Sequence, residues 1–169
     1  MNSSPSGSAR GGNDTLIATS ASGDFNFLFG DAFSMEEDAR GGNDMLIGGI
    51  GNDLIVGDAV EMHDNAKGGN DKLWGDPQGA AAGGADVFLF AGAFAKDTVY
   101  DFRHADGDKI DLRAYDLFDD ISDLVIQAQG GNAKIDIGAS LGGPVNTDTI
   151  TLMGVKTDTL VNDDFIFAP

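Results

Sequence analysis

The sequence predicts an all-β protein whose first half is a solenoid of parallel strands. Three observations predict it: a nine-residue pattern occurs five times, Asp accounts for 25 of the 28 acidic residues, and 25 further residues are Gly. Gly and Asp favour turns, whereas the hydrophobic fraction of 41% is close to that of globular domains. The 169 residues therefore need many turns around a packed interior, and the composition does not indicate a disordered chain.

Charge, cysteine content and hydropathy exclude several classes of protein. A formal net charge of −18 repels phosphate groups, which excludes charge-driven binding of nucleic acid. No apolar stretch approaches the roughly 18 residues that a membrane span needs. Without Cys there are no disulfides, thiolate metal ligands or Cys nucleophiles. The first residues have no basic segment and no apolar core, so no signal peptide is expected. A cytosolic protein, an export signal elsewhere and the removal of an upstream part stay open.

The nine-residue pattern has Gly fourth, Asp sixth and a large apolar residue eighth. Its copies are residues 9–17, 39–47, 48–56, 66–74 and 81–89. Six turn residues followed by three strand residues form half a coil, so two copies complete one coil of a solenoid. The eighth residue would then point into a thin apolar core. These core residues are Leu16, Leu46, Ile55, Leu73 and Phe88.

The sixth-position aspartates would lie above one another, with coils separated by the ~5 Å strand spacing. Two carboxylates and several backbone carbonyls at that spacing suit Ca²⁺, which takes roughly 6–8 oxygen ligands and tolerates irregular geometry better than Mg²⁺. Gly is expected here because the turn must expose carbonyls and adopt positive φ. One isolated copy is better explained as a solvated turn, but five copies mostly in one frame favour ion binding.

A divergent nonapeptide, residues 57–65, leaves the register between coils open. If it stays in the solenoid, Asp53 stacks on Asp71, eighteen residues later, and these two are the best pair. If it loops out, Asp44 stacks on Asp71 instead. A second period of 27 residues relates Gly30-Asp31-Ala32 to Gly57-Asp58-Ala59. Because the strand positions of the divergent segment hold poor core residues, looping out is slightly favoured.

The pattern G-G-x-G-x-D-x-U-x resembles the calcium-binding nonapeptide of RTX (repeats-in-toxin) proteins, and residues 48–56 fit it at every constrained position. The repeat block is similar to the right-handed parallel β-roll in the C-terminal parts of secreted serralysin-type proteases, lipases and alginate epimerases. The resemblance implies several Ca²⁺ ions, held by the sixth-position Asp and by carbonyls near the second and fourth positions. On this chain these ligands are Asp14, Asp44, Asp53, Asp71 and Asp86, with carbonyls around Arg40, Gly42, Gly49, Gly51, Lys67, Gly69 and Gly84.

The repeats stop near residue 90, which predicts a β-roll over 9–89 and a β-rich cap over 90–169. Strand-like runs in the cap are residues 97–102, 108–112, 124–128, 133–137, 148–153 and 165–167, and residues 114–123 are a candidate short helix. The cap resembles the domain that follows the roll in serralysin-type proteins. Asp101 and Asp108 are candidates for one more ion and Asp97 is a weaker one; turn aspartates explain them equally well.

The C-terminal run Asp163 to Phe167, acidic and then apolar, resembles the terminus that such proteins present to type I secretion machinery. It predicts a secreted, extracellular protein, and an edge strand is the alternative reading of the same residues. A G-x-S-x-G match at 138–142 precedes Gly143-Pro144, which cannot start the helix of a catalytic elbow, so no catalytic site is expected.

The sequence is therefore interpreted as a non-enzymatic calcium-binding module that folds at roughly millimolar extracellular Ca²⁺ and supports type I secretion. Two alternatives stay open. The chain could be the tail of a larger secreted protease, lipase or polysaccharide epimerase. It could also be an extracellular module that binds carbohydrate or mediates adhesion, with Trp74 as a candidate sugar platform.

Overall fold

The computed structural model describes residues 9–19, 24–81 and 83–169, and these residues form short β-strands with almost no helix. The strands are β1 Thr15–Ile17, β2 Phe27–Phe29, β3 Ala32–Met35, β4 Met45–Ile47, β5 Leu54–Val56, β6 Ala59–Met62, β7 Lys72–Trp74, β8 Val87–Leu89, β9 Lys96–Val99, β10 Lys109–Asp111, β11 Val125–Gln129, β12 Asn132–Asp136, β13 Thr149–Leu152 and β14 Phe165–Ile166. One helical turn, α1, spans Ile137–Ser140, and 3-10 turns span Ile121–Asp123, Thr157–Thr159 and Asn162–Asp164. Within the described residues, no helix has the length and apolar character to cross a membrane.

Strands of the repeat region, apart from β3 and β6, alternate in chain order between two sheets. The seven-stranded sheet has the order β1-β4-β7-β9-β13-β12-β11, and the five-stranded sheet has the order β14-β10-β8-β5-β2. Pairs within the two sheets are parallel except β11 with β12 and β12 with β13. The predicted all-β architecture of parallel strands is therefore confirmed.

The divergent nonapeptide, residues 57–65, leaves the two main sheets. Its strand β6 pairs with β3 in a separate two-stranded sheet, over a small cluster that includes Met35 and Met62. Because the segment loops out, β4 pairs directly with β7 and Leu46 lies opposite Leu73. The Asp53–Asp71 pairing is wrong, since Asp53 precedes β5 in the other sheet.

The inward direction of the eighth repeat position is confirmed. Leu46, Ile55, Leu73 and Phe88 are fully buried, and Leu16 packs against the same core at the edge of its sheet. This hydrophobic cluster runs from Leu28 to Phe165, and it continues without a break past the last repeat. β9 and β13 extend the seven-stranded sheet, while β10 and β14 extend the five-stranded one.

The strand predictions of the C-terminal half are confirmed within one residue at their ends, except that the strand predicted over 97–102 ends three residues earlier, at Val99. The candidate helix over residues 114–123 is wrong, because only its last three residues form a 3-10 turn. Asp120 caps that turn through the Ser122 N–H, and Asp123 accepts the N–H groups of Asp119 and Asp120. These local side-chain bonds satisfy backbone groups that a continuous helix would need.

Candidate cation sites

Four aspartates form a hydrogen-bonded row, the first ladder, beside the seven-stranded sheet. Asp14, Asp44 and Asp71 directly precede β1, β4 and β7, and Asp97 is the second residue of β9. The backbone N–H of each donates to Oδ1 of the next along the row, at N···O distances of 2.7, 2.8 and 2.8 Å. Parallel pairing in register therefore stacks aspartates that are 26 to 30 residues apart in the chain.

A second ladder lies beside the five-stranded sheet and consists of Asn26, Asp53, Asp86 and Asp108. The N–H groups of Asn26 and Asp53 each donate to Oδ1 of the next member at 2.8 Å, and the Asp86 N–H donates to Asp108 at 3.1 Å. The predicted ligands Asp53 and Asp86 are thus brought together, on the edge opposite to Asp44 and Asp71.

Most of the second carboxylate oxygens in the two ladders, and that of Asp58 beside the first ladder, have no hydrogen-bond partner. The buried Oδ2 atoms without a hydrogen bond belong to Asp44, Asp58, Asp71, Asp86 and Asp97. Asp53 differs, because its Oδ2 accepts the Gly49 N–H at 2.6 Å. Among the described residues, no ion pair reaches any of the five. A buried carboxylate without donor or counter-charge is costly. These oxygens fit a hard cation as the missing partner.

Glycines keep the space beside these oxygens open. A β carbon on Gly57 would lie 2.2 Å from Asp71 Oδ2, and one on Gly75 would lie 2.0 Å from Asp86 Oδ2. The fourth-position glycines stack backbone on backbone: a β carbon on Gly69 would lie 1.3 Å from the Gly42 carbonyl oxygen. The expectation of positive φ is wrong for the repeat glycines in the described residues, because positive φ occurs there only at other glycines and at four non-glycine residues outside the five repeat copies. Close approach between coils is what requires Gly here.

The predicted carbonyl ligands lie along the same turns. The carbonyls of Arg40 and Lys67 each accept a backbone N–H, from Gly11 and Gly41, at 2.8 Å. Each carbonyl oxygen has a second lone pair that this bond does not use. On the opposite edge, a β carbon on Gly84 would lie 2.0 Å from the Gly51 carbonyl oxygen. The carbonyls are therefore close to the ladders, and their role as ligands stays a prediction.

Burial and crowding raise the carboxyl pKa values. Burial raises the pKa of Asp86 to about 8, and the charge of Asp108 adds to it. Burial likewise raises the pKa of Asp71 to about 7 and that of Asp58 to about 9, the latter with a contribution from the Asp71 charge. The pKa of Asp97 lies well above its usual range for the same reason, with Asp58 as the largest charge contribution. In the folded chain these carboxyl groups are therefore more stable when they are protonated or bound to a cation than when they are ionised and unpaired.

Sequence analysis missed Asp31 and Asp58. They follow β2 and β5, where Asp58 Oδ1 accepts the Gly69 N–H at 2.6 Å and Asp31 Oδ1 accepts the Gly42 N–H at 3.0 Å. Asp58, Asp71 and Asp97 each bring one carboxylate oxygen to within 4.8 Å of the others. The 27-residue period that relates the two Gly-Asp pairs is the signal that could have identified them.

Asp101 and Asp108, the candidates for one more ion, are hydrogen-bonded through both oxygens. Asp101 accepts the N–H groups of Gly75 and Asp76 at 2.9 and 3.0 Å, and Asp108 accepts those of Asp86 and Arg103 at 3.1 and 2.7 Å. The Arg103 guanidinium lies 3.5 Å from Asp76 beside them. A cationic side chain therefore already neutralises part of this cluster.

Solved structures share the fold, among them two subunits of one enzyme. No protein-family model and no curated protein matches the chain. The solution structure of the AlgE6R3 subunit from the mannuronan C5-epimerase of Azotobacter vinelandii matches with a TM-score of 0.56 and 22% identity, over 97% of this chain and 82% of that one. The AlgE6R2 subunit of the same enzyme matches with a TM-score of 0.53 and 22% identity, over 98% and 95% of the two chains. With the topology above, this confirms the predicted parallel β-roll fold.

Proposed function

We propose that the protein is a non-enzymatic calcium module that binds several Ca²⁺ ions between its coils and folds when it binds them outside the cell. The observation that carries the proposal is the set of buried, unpartnered Oδ2 atoms along the two ladders. The proposed ligands are the sixth-position aspartates, which stack at the spacing of the strands, and the carbonyls of the repeat turns.

The donor chemistry favours Ca²⁺ over other common cations. The ladders offer carboxylate and carbonyl oxygens, and the chain has no Cys. Softer metals prefer thiolate or imidazole ligands, while Mg²⁺ demands near-octahedral geometry and retains water. Ca²⁺ accepts several oxygens in irregular arrangements, which suits stacked turns of unequal length.

Coupled folding follows from the electrostatics of the rows. Without a cation, ionised carboxylates repel one another in a buried setting, and Gly-rich turns lose much conformational entropy on folding. Ligand binding to the folded state alone contributes RT ln(1 + [L]/Kd), so folding would follow the Ca²⁺ concentration. At the low Ca²⁺ level of the cytosol the chain would stay unfolded and suited to export by type I machinery.

The proposed export signal lies in an edge strand of the folded chain. Phe165 and Ile166 form β14, which pairs with β10, and Asp163 forms an ion pair with Lys109 at 3.0 Å. Residues 163–167 can serve both as an export signal and as an edge strand if the exporter acts on the chain before it folds. An exporter that needs the folded chain would be incompatible with this pairing.

Far-UV circular dichroism during a Ca²⁺ titration after chelation tests the proposal. We expect a transition from coil to β near millimolar Ca²⁺ and none with Mg²⁺ as the control. A β spectrum that neither chelator nor Ca²⁺ changes, together with no calorimetric signal on Ca²⁺ addition, would overturn it.

An attachment to a larger secreted enzyme is the alternative context for the same module. It is supported by the structural neighbours, whose names describe them as subunits of an epimerase. Immunoblotting of the native culture medium would distinguish the two contexts, because a species well above 17.5 kDa indicates a larger protein.

Polysaccharide binding is a second candidate function, and a row on the seven-stranded sheet favours it. Lys72, Thr98, Thr151 and Lys134 are register partners across four strands. The adjacent row of Leu73, Val99 and Leu152 is buried, so alternation places the polar row on the outer face, where Lys134 is itself buried by its contacts with Asn146 and Asp136.

The outer face also carries a groove and an aromatic pair. The groove has a volume of about 420 Å³, and its lining includes Lys96, Gln129, Lys134 and Thr149. The rings of Trp74 and Tyr100 stack with centroids 4.2 Å apart. Lysines and hydroxyls on this face suit a polyhydroxylated chain. The net charge of −18 opposes binding of an anionic polymer unless Ca²⁺ bridges the two, so the test includes Ca²⁺.

Affinity electrophoresis in gels that contain mannuronan and Ca²⁺ tests this candidate. We expect the wild-type protein to be retarded and Lys96→Gln to be retarded less, while Lys156→Gln, outside the groove, stays unchanged. Equal mobility of the wild-type protein with and without the polymer would exclude the candidate.

A further inference from the structure

Three buried carboxylates from separate segments meet at one point of the first ladder. Asp58 lies between β5 and β6, Asp71 precedes β7, and Asp97 lies in β9. Their exposed fractions are 3, 1 and 2%, and one oxygen of each lies within 4.8 Å of the others. We propose that Asp58, Asp71 and Asp97 form a distinct three-carboxylate cation site that binds Ca²⁺ more tightly than the repeat sites and fills first. This inference rests on the proposed calcium-binding function and singles out one of its sites.

Backbone donors fix each of the three carboxylates through one oxygen. Asp58 accepts the Gly69 N–H at 2.6 Å, Asp71 the Asp44 N–H at 2.8 Å and Asp97 the Asp71 N–H at 2.8 Å. The other oxygen, Oδ2, is buried and unpartnered in all three. The acceptors are therefore held in place by bonds that a cation would not need to break.

The space for a cation beside them is maintained by a glycine. A β carbon on Gly57 would lie 2.2 Å from Asp71 Oδ2. Gly57 precedes Asp58, so the same Gly-Asp pair supplies both the opening and one carboxylate.

The turn over residues 90–95 explains why this end of the ladder is buried. It lacks the repeat pattern, and Phe90 and Phe94 pack there with ring centroids 5.0 Å apart. The turn stacks on the preceding coil through the Gly68 N–H, which donates to the Ala93 carbonyl at 2.8 Å. The aromatic turn therefore replaces a further Gly-rich turn, and Asp97, two residues after it in β9, is buried.

The corresponding group one coil earlier is more open. Asp14 is exposed and Asp31 is half-buried, whereas Asp44 is buried. On the second ladder, Asp53 has both oxygens engaged by backbone or side-chain donors. Asp108 likewise has both oxygens engaged, so the site of Asp58 is the group in which three buried carboxylates each keep an oxygen without a protein partner. Because Ca²⁺ affinity rises with the charge and rigidity of the ligands, and burial strengthens the attraction, this site should be the tightest.

Competition titration with a fluorescent calcium chelator tests the proposal. Wild-type protein should show one tight ion and a weaker class of several. Asp58→Asn should weaken the tight ion at least tenfold, while the matched variant Asp31→Asn, in the same Gly-Asp-Ala context 27 residues earlier, should keep it. A single class of sites in the wild type, or a tight ion that Asp58→Asn leaves within twofold, would overturn the proposal.

Hydrogen exchange of the wild-type protein tests the order of filling without a variant. The first equivalent of Ca²⁺ should protect the amides of residues 66–73 and 96–99 before those of residues 49–55 and 84–88. Earlier protection of the second group would overturn the assignment. Calcium binding with the wrong order contradicts this inference alone, whereas no calcium binding at all contradicts the proposed function as well.

Discussion

At the scale of single residues, the described structure contains two kinds of buried aspartate. Asp111, Asp136 and Asp164 have protein partners: the Arg113 guanidinium at 2.6 Å for Asp111, backbone N–H groups for Asp136, and the His104 ring with a backbone N–H for Asp164. Asp44, Asp71, Asp86 and Asp97 in the ladders, and Asp58 beside the first one, instead have an Oδ2 without a partner, whereas Asp53 and Asp108 have both oxygens engaged. Burial alone therefore does not distinguish a structural aspartate from a candidate ligand, but the second oxygen does.

This difference predicts opposite calcium dependence for two Asp→Asn variants. Asp86→Asn keeps an acceptor for the Asp53 N–H and removes a charge from the second ladder. We expect the Ca²⁺ midpoint of folding to rise about 3–10-fold, because the number of charged ligands sets the affinity. Circular dichroism during a Ca²⁺ titration measures it.

Asp111→Asn is the matched control for that variant. It weakens the pair with Arg113, so stability should fall by about 1–3 kcal/mol at saturating Ca²⁺ while the ion count stays the same. If both variants shifted the Ca²⁺ midpoint equally, the distinction between the two kinds of aspartate would be wrong.

The sequence predicts some residues of the candidate site and not others. Asp44, Asp71 and Asp86 follow from their fixed place in the repeat. Asp58 lies at the second position of a nonapeptide that does not fit the pattern, and Asp97 lies beyond the last copy. Asp58 and Asp97 come close to Asp71 because β7 pairs with β9 and because residues 59–65 loop out of the roll. Both are long-range pairings, which the local spacing of residues cannot predict.

At the scale of elements, strand type was predictable and strand partners were not. Three-residue strands with a large apolar centre follow from the pattern, and the buried Leu46 and Ile55 confirm it. The register depends on whether residues 57–65 pair inside or outside the roll. Their polar end, His63 to Asn65, cannot fill a core position, so the small sheet of β3 and β6 forms instead.

Contact between coils predicts a strong effect of one glycine substitution. In Gly69→Ala the new β carbon would meet the Gly42 carbonyl oxygen at 1.3 Å, a backbone atom that cannot rotate away. The coils must separate locally, which should cost about 1–3 kcal/mol and weaken the pairing of β4 with β7. Chemical denaturation at saturating Ca²⁺ measures the loss.

Gly12→Ala is the control at the same repeat position. Its β carbon would come no closer than 3.2 Å, to the rotatable carboxylate of the exposed Asp14. We expect a stability change within about 0.5 kcal/mol, as for ordinary surface substitutions. Equal losses in the two variants would show that glycine is needed for turn conformation and not for the approach of coils.

At the scale of the whole molecule, the rows of aspartate make the fold depend on what neutralises them. The formal net charge is −18, and the stacked carboxylates concentrate part of that charge in buried positions. The apolar core is thin because each coil contributes one large residue per strand. We therefore expect this fold to gain much of its stability from bound cations, whereas a protein with a larger hydrophobic core gains it mainly from buried apolar area.

The same balance predicts how pH acts on the metal-free chain. Burial raises the pKa of Asp71 and Asp108 to about 7, of Asp86 to about 8 and of Asp58 to about 9, from an ordinary value of 3.8. Between these limits the folded state binds more protons than the unfolded state, so stability falls as pH rises. From these groups the metal-free fold should therefore be most stable below about pH 4 and lose stability progressively up to about pH 9.

Calcium should reverse that trend, because it competes with protons for the same oxygens. Binding at pH 6 must displace protons that are absent at pH 9, so Ca²⁺ affinity should rise with pH over this range. Thermal melts of the chelated and Ca²⁺-saturated protein at pH 5, 7 and 8.5 measure both effects. We expect the chelated form to show a melting transition at pH 5 and to lose it by pH 7 to 8.5, where only the Ca²⁺-saturated protein should melt. Parallel pH profiles for the two forms would mean that Ca²⁺ does not bind at the buried carboxylates, and the ion sites would then have to lie on the exposed turns.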